Sequence, residues 1–424
     1  MSDILKINYK KFVLNNGLEV VLYKDNSLPL TAVNLWYKVG SANEAPGKTG
    51  FAHLFEHMMF QGSRNVPKEK HFQYIQEAGG SLNGSTSLDR TNYYETVPSD
   101  SLELALWLES DRMGFLLPSL TEEKLQNQKD VVMNERRQRC DNQPYGLAWE
   151  LIFKNVFLEN HPYHSPTIGW MEDIEKFNLD DVKQFFKTYY SPNNCSLVVA
   201  GNIEYSSAEK SVRKYFEEIN SSETIPNVAI PEFEIKLNSE FVHYDNVQLP
   251  RIYLVWKSDK LYGIDDASLD MTADILGGSK NSRLNKRLHF DLDLVQDVSC
   301  FQYSANREGL FVIVATAKPG VSLDSIKAEI FNILEKFKSA GPEQQEILKS
   351  KNSNNSTFIY SLQKIDGLAD QINGYNCTLE EPNSFIYDLE RYTLVNEETI
   401  KFVSQNYLSK QFFELRIVPK NENK

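Results

Sequence analysis

NLDDVKQFFKTYYSPNNCSLVVAGNI, Asn178 to Ile203, and VNEETIKFVSQNYLSKQFFELRIVP, Val395 to Pro419, decide how this chain is built. In the first stretch Asn178 can cap a helix running to about Tyr190. Pro192 and the neighbouring asparagines break it, and Cys195 to Ala200 reads as a short apolar strand. The second stretch repeats that grammar: Asn178 falls opposite Asn396, Phe185 opposite Val403 and Tyr189 opposite Tyr407, each at an offset of 218 residues. Helix followed by strand, twice at one separation, predicts duplicated halves. Serine, glutamate and two prolines near residues 216–236 suit a join. The expected division is therefore 1–220, a linker at 221–236, and 237–424. Helices and strands of unequal length favour α+β domains with mixed sheets over one continuous parallel sheet.

The 424 residues are 41% hydrophobic and 24% charged, enough for two full cores. A formal charge of -13 offers no broad basic surface to nucleic acid or an anionic membrane. No segment approaches the roughly 18 consecutive apolar residues of a membrane-spanning helix. The N-terminal MSDILKINYKKFVLNNGLEVVLYKD carries charges and Asn-Gly where a secretory signal needs a continuous apolar run. Cys140, Cys195, Cys300 and Cys377 lie far apart and form no metal-binding spacing, so they read as thiols of a reducing compartment. The expected location is cytoplasmic, or periplasmic or organellar if a targeting segment has been removed.

Between two predicted strands in residues 11–39 and a helix over 68–77, the decamer FAHLFEHMMF, residues 51 to 60, places two histidines and a glutamate in an apolar setting. Residues three and four apart share a helix face, so His53, Glu56 and His57 project into one region. Two imidazoles one turn apart can grip zinc, and a carboxylate beside them can take a proton from activated water. Two ligands leave a catalytic zinc site incomplete. In QNQKDVVMNERRQRC, Gln126 to Cys140, the apolar Val131, Val132 and Met133 mark a core-facing helix with Glu135 close in helical space. Arg136, Arg137 and Arg139 follow it, and spacing alone also admits a solvated charge run with ordinary surface pairing. The stretch SLNGSTSLDRTNYYETVP, from Ser81, reads as a strand pair, with helices expected over 99–116 and 121–143 before Pro144.

His53, Glu56 and His57 together resemble the inverted HxxEH zinc motif of the pitrilysin/insulinase peptidases, family M16. The similarity extends through LNNGLEVVLYKD, GGSLNGSTSLDRTNYYETVP, HPYHSPTIGWMEDI and YYSPNN, and is nearest to the small-subunit branch of mitochondrial processing peptidase and bacterial two-subunit relatives. The resemblance implies duplicated mixed-sheet domains of the LuxS/processing-peptidase-like metallohydrolase type. It also implies one Zn2+ per chain, with His53 and His57 as ligands, Glu56 as general base and Glu135, 78 positions after His57, as third ligand. The implied activity is zinc-dependent endopeptidase action on unfolded polypeptides or peptides through a metal-activated water. The family often has an acidic residue seven positions before the ligand glutamate; here Gln128 stands there. Leu82, Asn83, Gly84 and Ser85 are the implied substrate-binding edge, where an extended peptide adds as a further strand. Asn83 would orient the substrate, or serve only as a turn residue before Gly84.

The second half departs from the pattern. Aligning the repeats sets His53, Glu56 and His57 against Leu269, Thr272 and Ala273, so one half is expected to be catalytic and the other to complete the substrate chamber. Active relatives provide an arginine and a tyrosine seven residues apart from the non-zinc domain, and His289 and Gln296 occupy those positions here. The expected partner is a metal-free homologue supplying that pair in a heterodimer, with a homodimer or lone two-domain enzyme as alternatives. A noncatalytic assembly or presequence-binding subunit would require the loss of a ligand or the base, and all four residues are present.

Overall fold

The computed structural model describes residues 6–236 and 239–420, so the expected boundary at 237 lies outside the described residues. The contacts form two compact units. One comprises the chain up to Arg136, Ser165–Ala229 and Phe358–Ile386; the other comprises Arg137–His164, Ile230–Thr357 and the chain from Tyr387 onward. These units depart from the linear division at 221–236, because each takes a segment from the other's half of the sequence.

The first unit is built on six strands: β1 (Tyr9–Val13), β2 (Glu19–Lys24), β3 (Leu30–Tyr37), β4 (Ser81–Thr86), β5 (Thr91–Pro98) and β6 (Cys195–Gly201), in spatial order β1-β2-β6-β3-β5-β4. Only β2 and β6 run parallel; β3 lies antiparallel to both β5 and β6. Strand alternation sends Val33, Leu35 and Tyr37 into a core shared with helix α1 (Phe51–Met58). The opposite face offers Asn34 and Trp36 to the helix Ile365–Leu379. That helix approaches closely because residue 374 is glycine: a Cβ there would lie 3.2 Å from Trp36 Cη2. Asn373, fully buried, donates to the backbone oxygens of Asn34 and Ser196 at 3.0 and 3.1 Å, satisfying polar groups that water cannot reach.

The second unit contains β7 (Ser239–Asp245), β8 (Arg251–Ser258), β9 (Val295–Ser304), β10 (Gly309–Ala317) and β11 (Phe413–Pro419), ordered β7-β11-β8-β10-β9. It reproduces β2-β6-β3-β5-β4 strand for strand, including the single parallel pair, here β7 with β11. The helices Leu179–Tyr189 and Glu397–Tyr407 also correspond. Asn178 Oδ1 accepts from the backbone N–H groups of Asp180 and Asp181, and Asn396 Oδ1 from Thr399, each at 3.0 Å. The duplicated α+β architecture expected from those two stretches is therefore present.

Local boundaries differ modestly from the expectations. Helix α2 spans Lys70–Glu77, α3 spans Leu102–Phe115 after a short 3-10 turn at Ser99–Ser101, and α4 spans Glu122–Arg136. The run expected to stay α-helical to 143 widens into a π-helical turn at Arg137–Asp141, where the chain passes from one compact unit to the other.

Candidate active site

Helix α1 begins where Gly50 adopts φ 87, and a Cβ there would meet Ile168 O at 2.5 Å, so glycine is required twice over. Glu44 seats the helix: its carboxylate accepts from Gly50 N at 2.8 Å and Ala52 N at 2.7 Å, satisfying donors at the positive end of the helix. Burial pushes the Glu44 carboxyl well above its ordinary range, against the lowering effect of those N–H groups. Phe51, Leu54, Phe55 and Met58 fill the core, with the Phe55 ring centre 4.2 Å from that of Tyr190. The same helix therefore leaves His53, Glu56 and His57 on its half-buried side.

Helix α4 brings Glu135 to the two histidines. His57 Nε2 lies 3.4 Å from Glu135 Oε2 and His53 Nε2 lies 3.9 Å from Glu135 Oε1, with donor atoms of all three residues within 4.8 Å of one another. A tetrahedral cation with bonds of about 2.0–2.1 Å separates its donors by about 3.3 Å, so this cluster fits zinc closely. Two imidazoles and one carboxylate also leave a fourth position open, as catalytic zinc requires.

Glu56 turns toward β4, where Thr86 Oγ1 donates to its Oε2 at 2.5 Å. Burial raises the Glu56 pKa; the Thr86 hydrogen bond and His57 oppose that rise, while the charge of Glu135 adds to it. Strand β4 borders Glu56 so tightly that a Cβ on Gly84 would lie 3.3 Å from Glu56 Cγ. Of the sequence-predicted substrate residues, Leu82, Asn83, Gly84 and Ser85 all lie on β4, an edge strand paired only with β5. Asn83 is exposed, and its Oδ1 accepts from Gly84 N at 2.9 Å. Tyr93 is buried in the core, whereas Tyr94 takes the opposite face. Gln128 is buried on α4 and donates to Asn127 Oδ1 at 2.9 Å, so its amide serves its own helix and no metal-binding side chain.

A second acidic cluster, His71, Glu95 and Glu109, does not fit a metal. His71 Nε2 and Glu95 Oε1 are 2.5 Å apart, a hydrogen-bond separation too short for two ligands of one cation. Arg112 already supplies the positive charge, bonding both oxygens of Glu109 and lying 4.1 Å above the Tyr93 ring.

In the second half the equivalents of the metal site are core residues: Leu269 and Thr272 are fully buried and Ala273 nearly so, with Thr272 Oγ1 bonded back to Ser268 O at 2.7 Å. His289 Nδ1 lies 3.1 Å from Val295 O, and Gln296 is exposed at the start of β9. Glu44, Thr86 and Arg90 were not singled out from the sequence. Nothing local marks Glu44 as a helix cap.

A two-domain α+β fold with a His-His-Glu centre on one half defines a zinc-dependent metallohydrolase of the peptidase type. The sequence profile described as insulinase (peptidase family M16) matches residues 19–169, and that of the peptidase M16 inactive domain matches residues 176–354. A zinc protease PqqE of Helicobacter pylori is 31% identical over 368 residues, covering 85% of this chain and 82% of the relative. A probable mitochondrial-processing peptidase subunit beta of Arabidopsis thaliana is 22% identical over 93% of this chain and 75% of its own length. The crystal structure of a protease from Helicobacter pylori superimposes with a TM-score of 0.92 at 27% identity, covering 98% of this chain and 100% of that one. The chain belongs to the insulinase family, M16. With the His-His-Glu cluster in the region matched to the peptidase profile, it is a zinc metalloendopeptidase with one Zn2+ per chain. Among the described residues no helix is long and apolar enough to cross a membrane.

Proposed function

We propose that His53, His57 and Glu135 are the zinc ligands, that Glu56 is the general base, and that Leu82 to Ser85 take an extended polypeptide as a seventh strand of the first sheet. The convergence of the three donors beside Glu56 carries this reading. Bound there, zinc supplies a Lewis acid that acidifies water and polarises a carbonyl. Glu56 takes the proton of the attacking water and passes it to the leaving amine. Thr86 fixes the carboxylate's orientation, and the open edge of β4 holds the substrate main chain in reach. The first half of the sequence thus carries the chemistry, and the homologous second half serves substrate enclosure. Glu56→Gln is expected to retain zinc and lose nearly all peptide hydrolysis; full activity with zinc bound would overturn the base assignment.

The same reading includes a heterodimer in which a metal-free homologue provides an arginine and a tyrosine. Local substitutes are already engaged: Arg283 is held by Glu346 at 2.6 and 2.9 Å, and Arg287 by Glu329 at 2.7 Å. Tyr303 packs against Trp149 with ring centres 5.2 Å apart. That the plant relative is a probable mitochondrial-processing peptidase subunit beta supports the same arrangement. The isolated chain is expected to bind zinc and hydrolyse peptides weakly, with a marked rise on titration with a metal-free homologue. High activity alone, unchanged on mixing, would remove the heterodimer. The four free thiols support a cytoplasmic setting.

A further inference from the structure

Asp370 lies on the helix Ile365–Leu379, far from the zinc motif in sequence, yet it organises the strand beside Glu56. Its Oδ1 accepts three hydrogen bonds: from Asn34 Nδ2 at 3.1 Å, Trp36 Nε1 at 2.8 Å and Asn92 Nδ2 at 2.8 Å. An ionised carboxylate only accepts, so it forces the Asn92 amide to present its NH2 group and to turn its oxygen the other way. That oxygen accepts from Ser85 Oγ at 2.7 Å and Arg90 Nη1 at 2.9 Å. Arg90 Nη1 donates in turn to the backbone oxygen of Ser85 at 3.0 Å and to its hydroxyl, with the guanidinium 5.1 Å over the Trp36 ring. Ser85 is therefore clasped through its side chain and main chain, one residue before the Thr86 that bonds Glu56.

We propose that Asp370 is a positioning residue for peptide binding: by fixing the Asn92 amide it sets the edge strand β4, through Ser85 and Arg90, in the alignment that a substrate strand must match. This rests on the reading of Leu82 to Ser85 as the substrate edge. An edge strand has neighbours on one side only, so the register and twist of its free side depend on such side-chain braces. Asp370→Asn removes the acceptor-only constraint and lets the Asn92 amide turn over, which sets two NH2 groups against each other or against Ser85 and Arg90.

The test measures the affinity of a labelled unstructured peptide for zinc-loaded protein carrying Glu56→Gln, so that no turnover intervenes. Asp370→Asn is expected to weaken binding about tenfold with zinc content unchanged. A role in stability alone would lower the melting temperature and leave affinity unchanged, and that outcome would overturn the proposal. A peptide N-methylated at alternate amides separates the two ideas. If it binds the Glu56→Gln protein as well as its unmethylated parent, strand addition itself is wrong; if it binds poorly while Asp370→Asn binds normally, only the role of Asp370 fails.

Discussion

Thr86 Oγ1 and Glu56 Oε2, 2.5 Å apart, join the edge strand to the zinc-motif helix. In the proposed mechanism the hydroxyl donates to a group that also accepts a proton from water, and the bond holds one carboxylate oxygen and leaves the other available. Thr86→Val removes the donor while keeping the branched shape. A hydrogen bond to a charged group contributes roughly 1.5–3 kcal/mol, so kcat is expected to fall about tenfold or more with zinc content unchanged. Steady-state kinetics paired with elemental analysis decide it, and an unaltered kcat would show that Glu56 is oriented by other contacts.

Gly84 is the second point of contact between these elements. A methyl group added there would lie 3.3 Å from Glu56 Cγ and 3.2 Å from Tyr93 Cδ1, so both side chains must give way slightly. Gly84→Ala should therefore fold, losing about 1 kcal/mol, while hydrolysis drops by about an order of magnitude as Glu56 is displaced. Thermal unfolding and peptide cleavage of the same preparation are the measurements.

The buried His71–Glu95 pair predicts a pH signature in stability. Burial pushes Glu95 up to about 7 and His71 down to about 3, consistent with a protonated carboxyl donating to a neutral imidazole. The raised carboxyl contributes stability that is fully present below its unfolded pKa of about 4.3 and lost as pH climbs through 7. The depressed histidine acts oppositely, contributing above about 6.5 and losing it as pH falls toward 3. Glu95→Gln cancels only the first contribution. The melting temperature of the variant minus that of the parent should accordingly rise from pH 5 to pH 8; a flat or falling difference would contradict the protonated carboxyl.

Cutting the chain after residue 236 should not liberate a working zinc domain. Residues 1–236 lack Asp370, Asn373 and Asn376, which bond Asn34, Trp36, Asn92 and Ser196 on a buried sheet face. Leaving those groups without partners costs about 1–3 kcal/mol each. The fragment is expected to be insoluble or to lack a cooperative melting transition, and co-expression with 237–424 to restore both. A stable, zinc-binding 1–236 fragment would refute this.

The parts that could be read from the chain are those set by local periodicity. His53, Glu56 and His57 follow from helix geometry, and Asn178 and Asn396 from capping chemistry, so both the metal motif and the duplication were visible. Glu135 needed the family resemblance, because its neighbours Arg136, Arg137 and Arg139 also suit a surface helix. The exchange of segments between the units was not visible. Trp149 and Phe153 pack with Phe301 and Tyr303, and Asp370 bonds Asn34, pairings that no spacing rule connects. Glu44 escaped notice for the same reason: a cap supplied from a preceding loop has no fixed distance to the helix it serves.

Placing Phe358–Ile386 against strands made from the first hundred residues also fixes the timing of biogenesis. A ribosome must reach residue 386 before the first sheet can acquire its second cover. The exposed face carrying Asn34 and Trp36 stays open throughout elongation, an interval of some tens of seconds at about 5–20 residues per second. The nascent protein therefore has a long window in which chaperones, or misassembly with a sister chain, compete for that surface.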